Sequence, residues 1–308
     1  MTIVARGLDA LPHGPSVVTI GNFDGVHRGH QVLLRRAVAL AERHQARSVA
    51  VTFDPHPAVL LRAEAAPPRL QTLEDRVTAL SAADLDAVVV LPFTRELASS
   101  TPAAFVAEVL AGSLAAVRVV VGTNFRFGAK AAGDVVTLLE LGEQHGFAPE
   151  AVTLLEMDGR RISSSAIREH LQDGDLTWAT AALGRPYQLG GVVVRGDGRG
   201  RGIGFPTANL AVDPDLVVPA TGVYAGRARL EGRWVPAVAN VGLRPTFDGT
   251  TRTVEVHLLD VDQDLYGRHL AFRFLDRLRP EQRFDGVESL AAQIGADVER
   301  ARGLLSEG

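Results

Sequence analysis

The stretch SVVTIGNFDGVHRGH, residues 16–30, decides how the first half of the chain is read. Ser16 to Ile20 is a short, β-branched apolar run, as expected of a buried strand. It breaks at Gly21, after which Val32, Leu33, Arg36 and Leu40 recur at helical spacing. Working outward, SVAVTF (48–53), AVVVL (87–91) and RVVV (118–121) read as further strands, with helices near 102–110 and 135–145. Alternation of this kind predicts a parallel sheet covered by helices, a Rossmann-like α/β domain. In such sheets ligands bind in the loops at the carboxyl ends of the strands, which is where residues 21–30 fall.

The texture changes near LGRP (183–186). Residues 187–195, 223–230, 233–241, 253–259 and 269–275 are Val-rich runs separated by turn signals, and Glu231-Gly232 reads as a tight hairpin turn. Helical spacing returns only at Val287, Leu290, Ala291, Ile294 and Val298. The expectation is an antiparallel β domain, barrel or sandwich, closed by a C-terminal helix. Residues 1–182 and 183–308 are taken as the two domains, with no internal repeat.

Composition narrows the function. The chain has 308 residues, 46% hydrophobic and 22% charged, in the range of soluble globular proteins. A net charge of −4 gives no overall basic field to gather nucleic acid. The absence of cysteine excludes disulfides, thiolate zinc sites and a cysteine nucleophile, and it suits a reducing cytoplasm. No signal peptide or membrane span is read, so a cytoplasmic enzyme without membrane partners is expected. Lys130 is the only lysine, so a Walker P-loop has no place in the sequence.

The first candidate site is Gly21, Asn22, Phe23, Asp24 and Gly25, leading to His27 and His30. Glycines let backbone N–H groups approach a ligand, and a helix N-terminus suits phosphate. Two histidines three residues apart share a helical face and can donate hydrogen bonds to oxygens that gain charge in a transition state. A zinc site lacks a third ligand in any recognised spacing, and simple capping explains neither both histidines nor the aspartate. The pattern G-x-F-D-G-V-H-x-G-H at 21–30 resembles the signature of the bacterial bifunctional riboflavin kinase/FAD synthetase family. TFDPHP (52–57), GTNFRFG (122–128) with Gly133-Asp134, and ISSSAIR (162–168) resemble further elements of it, with Ser165 where threonine is usual. The resemblance implies adenylyl transfer from ATP to FMN in the first domain. His27, His30 and Arg168 would stabilise charge, and Asn124, Ser163 and Ser164 would bind nucleotide phosphates. Phe53 and Phe127, read as aromatic side chains rather than from the resemblance, could stack on the flavin. Taken alone, the serines could merely cap a helix, and the phenylalanines could merely fill core.

The second candidate site begins in RGDGRGRGIGFPTANL (195–210). It contains no G-x-G-x-x-G and is too short for an RG-rich nucleic-acid tail, so it reads as a Gly-rich flap over phosphates, with Gly204 in it. Thr207 and Asn209 supply neutral hard oxygens on one side of an extended segment, suited to Mg²⁺ on ATP, although a Pro-Asn turn would need no metal. GFPTAN and TVEVHLLD (253–260) resemble the riboflavin kinase motifs, which makes Glu255 the expected base, and NVGLRPTF (240–247) resembles a kinase loop beside the flavin and nucleotide, which brings Arg244 there. Without the resemblance, a glutamate on a strand face reads as solvated surface. The chain as a whole thus implies ATP, riboflavin, FMN and FAD as its small-molecule partners, with no nucleic acid, and homo-oligomerisation possible. A flavin carrier without turnover, or an enzyme with one working head, are the competing readings.

Overall fold

The computed structural model describes residues 1–196, 199–246 and 249–306, without the side chains at 199, 201, 244–246 and 249–251. The chain forms two compact units, Met1–Ser164 and Ser165–Gly308.

In the first unit the order is β1 (Ile3–Arg6), β2 (Ser16–Ile20), α1 (Arg28–His44), β3 (Arg47–Asp54), α2 (Pro57–Leu61), α3 (Leu73–Ser81), β4 (Ala87–Pro92), α4 (Arg95–Ser99) and α5 (Pro102–Phe105). A π-helical segment Val106–Ser113, β5 (Ala116–Gly122), α6 (Val135–His145), β6 (Ala148–Val152) and a ribbon of β7 (Glu156–Met157) and β8 (Arg160–Arg161) complete it. The main sheet is parallel throughout, in the order β1-β4-β3-β2-β5-β6. From β2 the chain winds outward through β3 and β4, then returns to place β5 on the other side of β2. The switch point therefore lies between β2 and β5, with Thr19 opposite Val120. Val17, Val18, Val49, Val51, Val89 and Val119 are almost wholly buried, since helices cover both faces. Burial of each such side chain contributes about 1.5–3 kcal/mol.

β1 and β6 are strands that the sequence pattern did not mark. Both are sheet edges. An edge tolerates Pro149, which removes a ladder donor and hides β6 from pattern reading.

The second unit opens with α7 (Ser164–Asp173) and α8 (Leu176–Leu183). A closed barrel follows: β9 (Tyr187–Val194), a short turn α9 (Arg199–Gly202), β10 (Ala208–Val212), β11 (Gly222–Leu230), β12 (Arg233–Thr246), β13 (Gly249–Leu258) and β14 (His269–Arg279). Every pairing in it is antiparallel. Of the two expected forms the barrel is therefore the one observed. Glu231 and Gly232 make the β11–β12 turn with φ of 50° and 82°, where glycine carries no Cβ penalty. Tyr224, Phe272 and Phe274 fill the interior with edge-on ring contacts. The last helix, α10 (Val287–Ser306), lies on the outer wall, where Val298, Ala301 and Leu305 pack with Val223, Val238 and Leu278.

Candidate active sites on a sheet switch point and a barrel wall

His27 is the N-cap of α1, and its Nδ1 accepts from the His30 N–H at 3.3 Å. The two imidazoles stack at 3.6 Å between centroids, 18° from parallel, and the edge of Phe23 meets His30 at 5.2 Å. Sequence spacing anticipated a shared helical face; the geometry instead makes His27 the cap and lays its ring on that of His30. A Cβ at position 29 would come within 3.1 Å of the His27 ring, so glycine there lets the stack form. Burial, and then the neighbouring His27, push the His30 imidazole well below the ordinary histidine pKa. His30 Nδ1 is buried with no hydrogen-bond partner among the described residues. There is no acidic residue in the first turn of α1 to neutralise its N-terminal field.

The loop between β2 and α1 is strained and held from outside. Phe23, Gly25 and Val26 have φ of 48°, 85° and 39°, a region that costs non-glycine residues about 1–3 kcal/mol each. The Asp24 carboxylate accepts from the Leu70 N–H at 2.9 and 3.1 Å, and the Asp24 carbonyl accepts from Ser164 Oγ at 2.8 Å. Gln71 donates to the Phe23 carbonyl at 3.4 Å. Arg76, on α3, donates from Nη1 to the Asn22 carbonyl and from Nη2 to the Phe53 carbonyl, both at 2.9 Å. Burial lowers its pKa, opposed by Asp24 and Asp54, but a guanidinium remains charged. Leu70, Gln71 and Arg76 were not marked by the sequence. Its only signal there is a capping pattern, Thr72 with Asp75, which starts α3 and says nothing of ligands.

Across the switch point, Gly122 ends β5, and a Cβ there would come within 3.0 Å of Asn124 Oδ1. Asn124 is thereby folded back over the sheet end. Beside it opens a cleft of ≈ 760 Å³ lined by Asn22, Phe53, Phe93, Phe125, Phe127 and Lys130, among others. Phe53 meets Phe93 edge-on at 5.6 Å, and Phe125 stacks on Phe127 at 5.4 Å. Gly133 lies flat on Phe127, where a Cβ would come within 2.7 Å of the ring. Phe127 is 8% exposed, belongs to the core and also walls the cleft. Ser164 turns its hydroxyl to Asp24 rather than to the helix it begins. Arg168 is carried on α7 in the second unit and is 8% exposed.

On the barrel, β10 begins within the GFPTANL stretch and runs on to Val212, a strand the sequence reading missed because the motif itself masks the apolar alternation of Ala208 and Leu210. Both of those are buried, which turns Thr207 and Asn209 the other way. In register, Asn209 stands opposite Glu255, and Glu255 opposite Asn240 on the far side. The alternation predicted for β13 holds: Val254, Val256 and Leu258 are buried within the barrel, and Glu255 and His257 turn outward. They enter a cavity of ≈ 310 Å³ under α10, lined also by Thr207, Asn209, Asn240 and Ile294. His257 bonds through a ring nitrogen to the Pro206 carbonyl at 2.7 Å, and since a carbonyl only accepts, that nitrogen carries the proton. Gly204, φ 87°, turns the chain into Phe205. At one wall Arg279 and Asp297 form a buried, two-pronged ion pair, closed by Gln293. Asn240 and His257 are site residues that the sequence reading left outside its candidate set. Arg244 is in β12 by its backbone, and its side chain lies outside the described residues.

A family model described as FAD synthetase matches residues 10–166, and one described as riboflavin kinase matches 183–305. The chain belongs to the bifunctional riboflavin kinase/FMN adenylyltransferase family. It is 40% identical over 301 residues to the bifunctional riboflavin kinase/FMN adenylyltransferase of Escherichia coli strain K12, with 96% of each chain covered. The Pseudomonas fluorescens member is 41% identical, covering 98% of both, and the Bacillus subtilis member 36%, covering 93% of this chain and 91% of its own. A crystal structure described as a macrolide-efflux protein from Streptococcus pneumoniae superposes with a TM-score of 0.87 at 31% identity over 98% of each chain. Efflux has no counterpart in the family's matched domains, and no described helix here is long and apolar enough to cross a membrane.

Proposed function

We propose that the chain phosphorylates riboflavin at the barrel wall and adenylylates the resulting FMN at the switch point, spending one ATP at each. Adenylyl transfer is assigned to residues 1–182 and phosphorylation to 183–308, the ranges that enclose the two family matches. Family membership supports both activities, and the observation that carries the residue assignment is the register of Asn209, Glu255 and Asn240 across three strands within one cavity.

The two reactions ask for different groups. The 5′-hydroxyl of riboflavin is neutral and must lose a proton as it attacks the γ-phosphorus of ATP; the bond to the β-phosphate oxygen breaks and ADP leaves. Glu255 takes that proton. Thr207 and Asn209 fit a hard cation: their oxygens are neutral donors, and the chain beside them is glycine. A Cβ at Gly196 would overlap the Asn209 amide, and one at Gly200 would approach Thr207 Oγ1 to 3.4 Å. Mg²⁺ held there would draw charge from the ATP phosphates. His257, by holding the Pro206 carbonyl, keeps Thr207 next to the base.

FMN is already an anion and needs no base. Its phosphate oxygen attacks the α-phosphorus of ATP, the bond to the β-phosphate breaks, and pyrophosphate leaves. The protein must align the reactants and meet the developing charge. His27, His30 and Arg168 do the latter, with Gly21–Gly25, Asn124, Ser163 and Ser164 around the nucleotide. The His30 Nδ1, buried with no hydrogen-bond partner among the described residues, supports a ligand-facing role, since a buried polar nitrogen otherwise stands at a cost. The aromatic cleft with Phe53 and Phe127 receives the isoalloxazine ring, and Arg244 serves the flavin of the kinase site. The absence of cysteine is consistent with a cytoplasmic setting.

The purified chain incubated with riboflavin, ATP and Mg²⁺ should yield FMN first and FAD after it, followed by chromatography of the flavins. Flavin retained without ATP consumption would replace this reading by a carrier.

A further inference from the structure

Two substrate-facing segments of the first unit hang on one buried side chain. Arg76 is 6% exposed, and its two terminal nitrogens reach different loops: Nη1 the carbonyl of Asn22 after β2, Nη2 the carbonyl of Phe53 at the end of β3. Asn22 and Phe53 both line the aromatic cleft. Thr52 Oγ1 donates to the same Asn22 carbonyl at 3.1 Å, so that oxygen is held from two sides. Burying a cation is unfavourable, and neither acceptor is charged. If the only task were to fill space beneath the sheet, an apolar side chain would do so at lower cost. What the guanidinium supplies is a rigid planar fork, whose two donors stand at a fixed separation. A lysine ammonium cannot hold two carbonyls in that relation. The loop it grips also needs holding, because Phe23 and Val26 stand in the left-handed region at φ 48° and 39°.

We propose that Arg76 is a positioning residue for adenylyl transfer: its fork sets the distance between the phosphate-binding loop and the flavin wall, and so the approach of FMN to the α-phosphorus. This rests on the reading of Gly21–Gly25 and Phe53 as the nucleotide and FMN sites. Misplacement of reactants by about 1 Å costs about 10²-fold in rate, which sets the size of the effect.

The test uses the full chain. R76K should lower kcat for FAD formation roughly 10- to 100-fold and raise KM for FMN, while riboflavin phosphorylation by the same preparation is unchanged. R76A should lose more, and millimolar guanidinium should restore part of its adenylylation where methylammonium does not. F53A is measured alongside. Wild-type kcat and KM in R76K, with a raised KM in F53A, would overturn the positioning role alone. Losses in R76K that vanish at a lower assay temperature, in step with a lowered melting point, would make Arg76 merely structural and overturn it too. An unchanged KM for FMN in F53A would overturn the cleft reading and the proposal with it.

Discussion

The two sites solve phosphorus chemistry on different scaffolds. At the switch point, the candidate ligand-facing groups come from loops, pinned by the Leu70 N–H and by the side chains of Gln71, Arg76 and Ser164, which hold Asn22 to Asp24 through backbone atoms and one carboxylate. On the barrel, Asn209, Glu255 and Asn240 stand on hydrogen-bonded strands and need little further support. The difference matches the proposed assignment of the two reactions. An anionic nucleophile has to be aligned, which adjustable loops around a helix N-terminus achieve, whereas a neutral hydroxyl needs one carboxylate at a fixed place, which a strand ladder gives.

The comparison breaks most sharply at Glu255. Glu255→Gln keeps the shape and removes the proposed base, and FMN formation should fall about 10²–10⁴-fold while FAD synthesis from added FMN continues. Parallel loss of both activities would mean that the heads are not separate. Next in size is Asp297→Ala, which takes the buried carboxylate away from the half-buried Arg279 guanidinium. Loss of a fully buried partner costs about 3–5 kcal/mol and a part-exposed cation loses less, so the second unit should unfold somewhat earlier in calorimetry, with the first transition unmoved. His30→Ala should lower FAD formation by about 10²–10³-fold and leave FMN formation intact, read from the same flavin time course.

The smallest effect concerns pH. His30 binds its proton less tightly folded than unfolded, because burial and His27 oppose the charge. Above the unfolded value of about 6.5 neither state is protonated and the first unit keeps its full stability. As pH falls below that value the unfolded chain takes up a proton that the folded one refuses, and stability drops until the lowered folded pKa is passed. The slope from this one group is at most about 1.4 kcal/mol per pH unit. Thermal unfolding between pH 7.5 and 5 should show a shallower fall in His30→Phe than in the unaltered chain.

Much of this was legible in the residues. Val-rich runs at β2 to β5 and the switch to antiparallel texture follow from burial on two faces and then on one. The period of two in TVEVHL marks Glu255 as outward-facing, because Val254 and Val256 need the interior. What sequence could not give were meetings between distant segments. Arg76 lies 54 residues from Asn22 and 23 from Phe53. Local pattern sees in Arg76 a polar residue early in a capped helix, and only the fold reveals that it points inward. Likewise the place of Asn240 opposite Glu255 follows only when β12 is laid beside β13. His27 was misplaced by one position in role: a glycine-bearing turn put it outside the helix, where its ring could cap.

The barrel closes on itself and has no free border, whereas the parallel sheet ends in β1 on one side and β6 on the other. Pro149 blunts β6 by withholding a donor. At β1, four residues long, Ile3 and Val4 are 42% and 51% exposed beside an unpaired backbone. In a concentrated or partly melted preparation the edge open to strand pairing is therefore β1, the IVAR of residues 3–6, rather than the barrel.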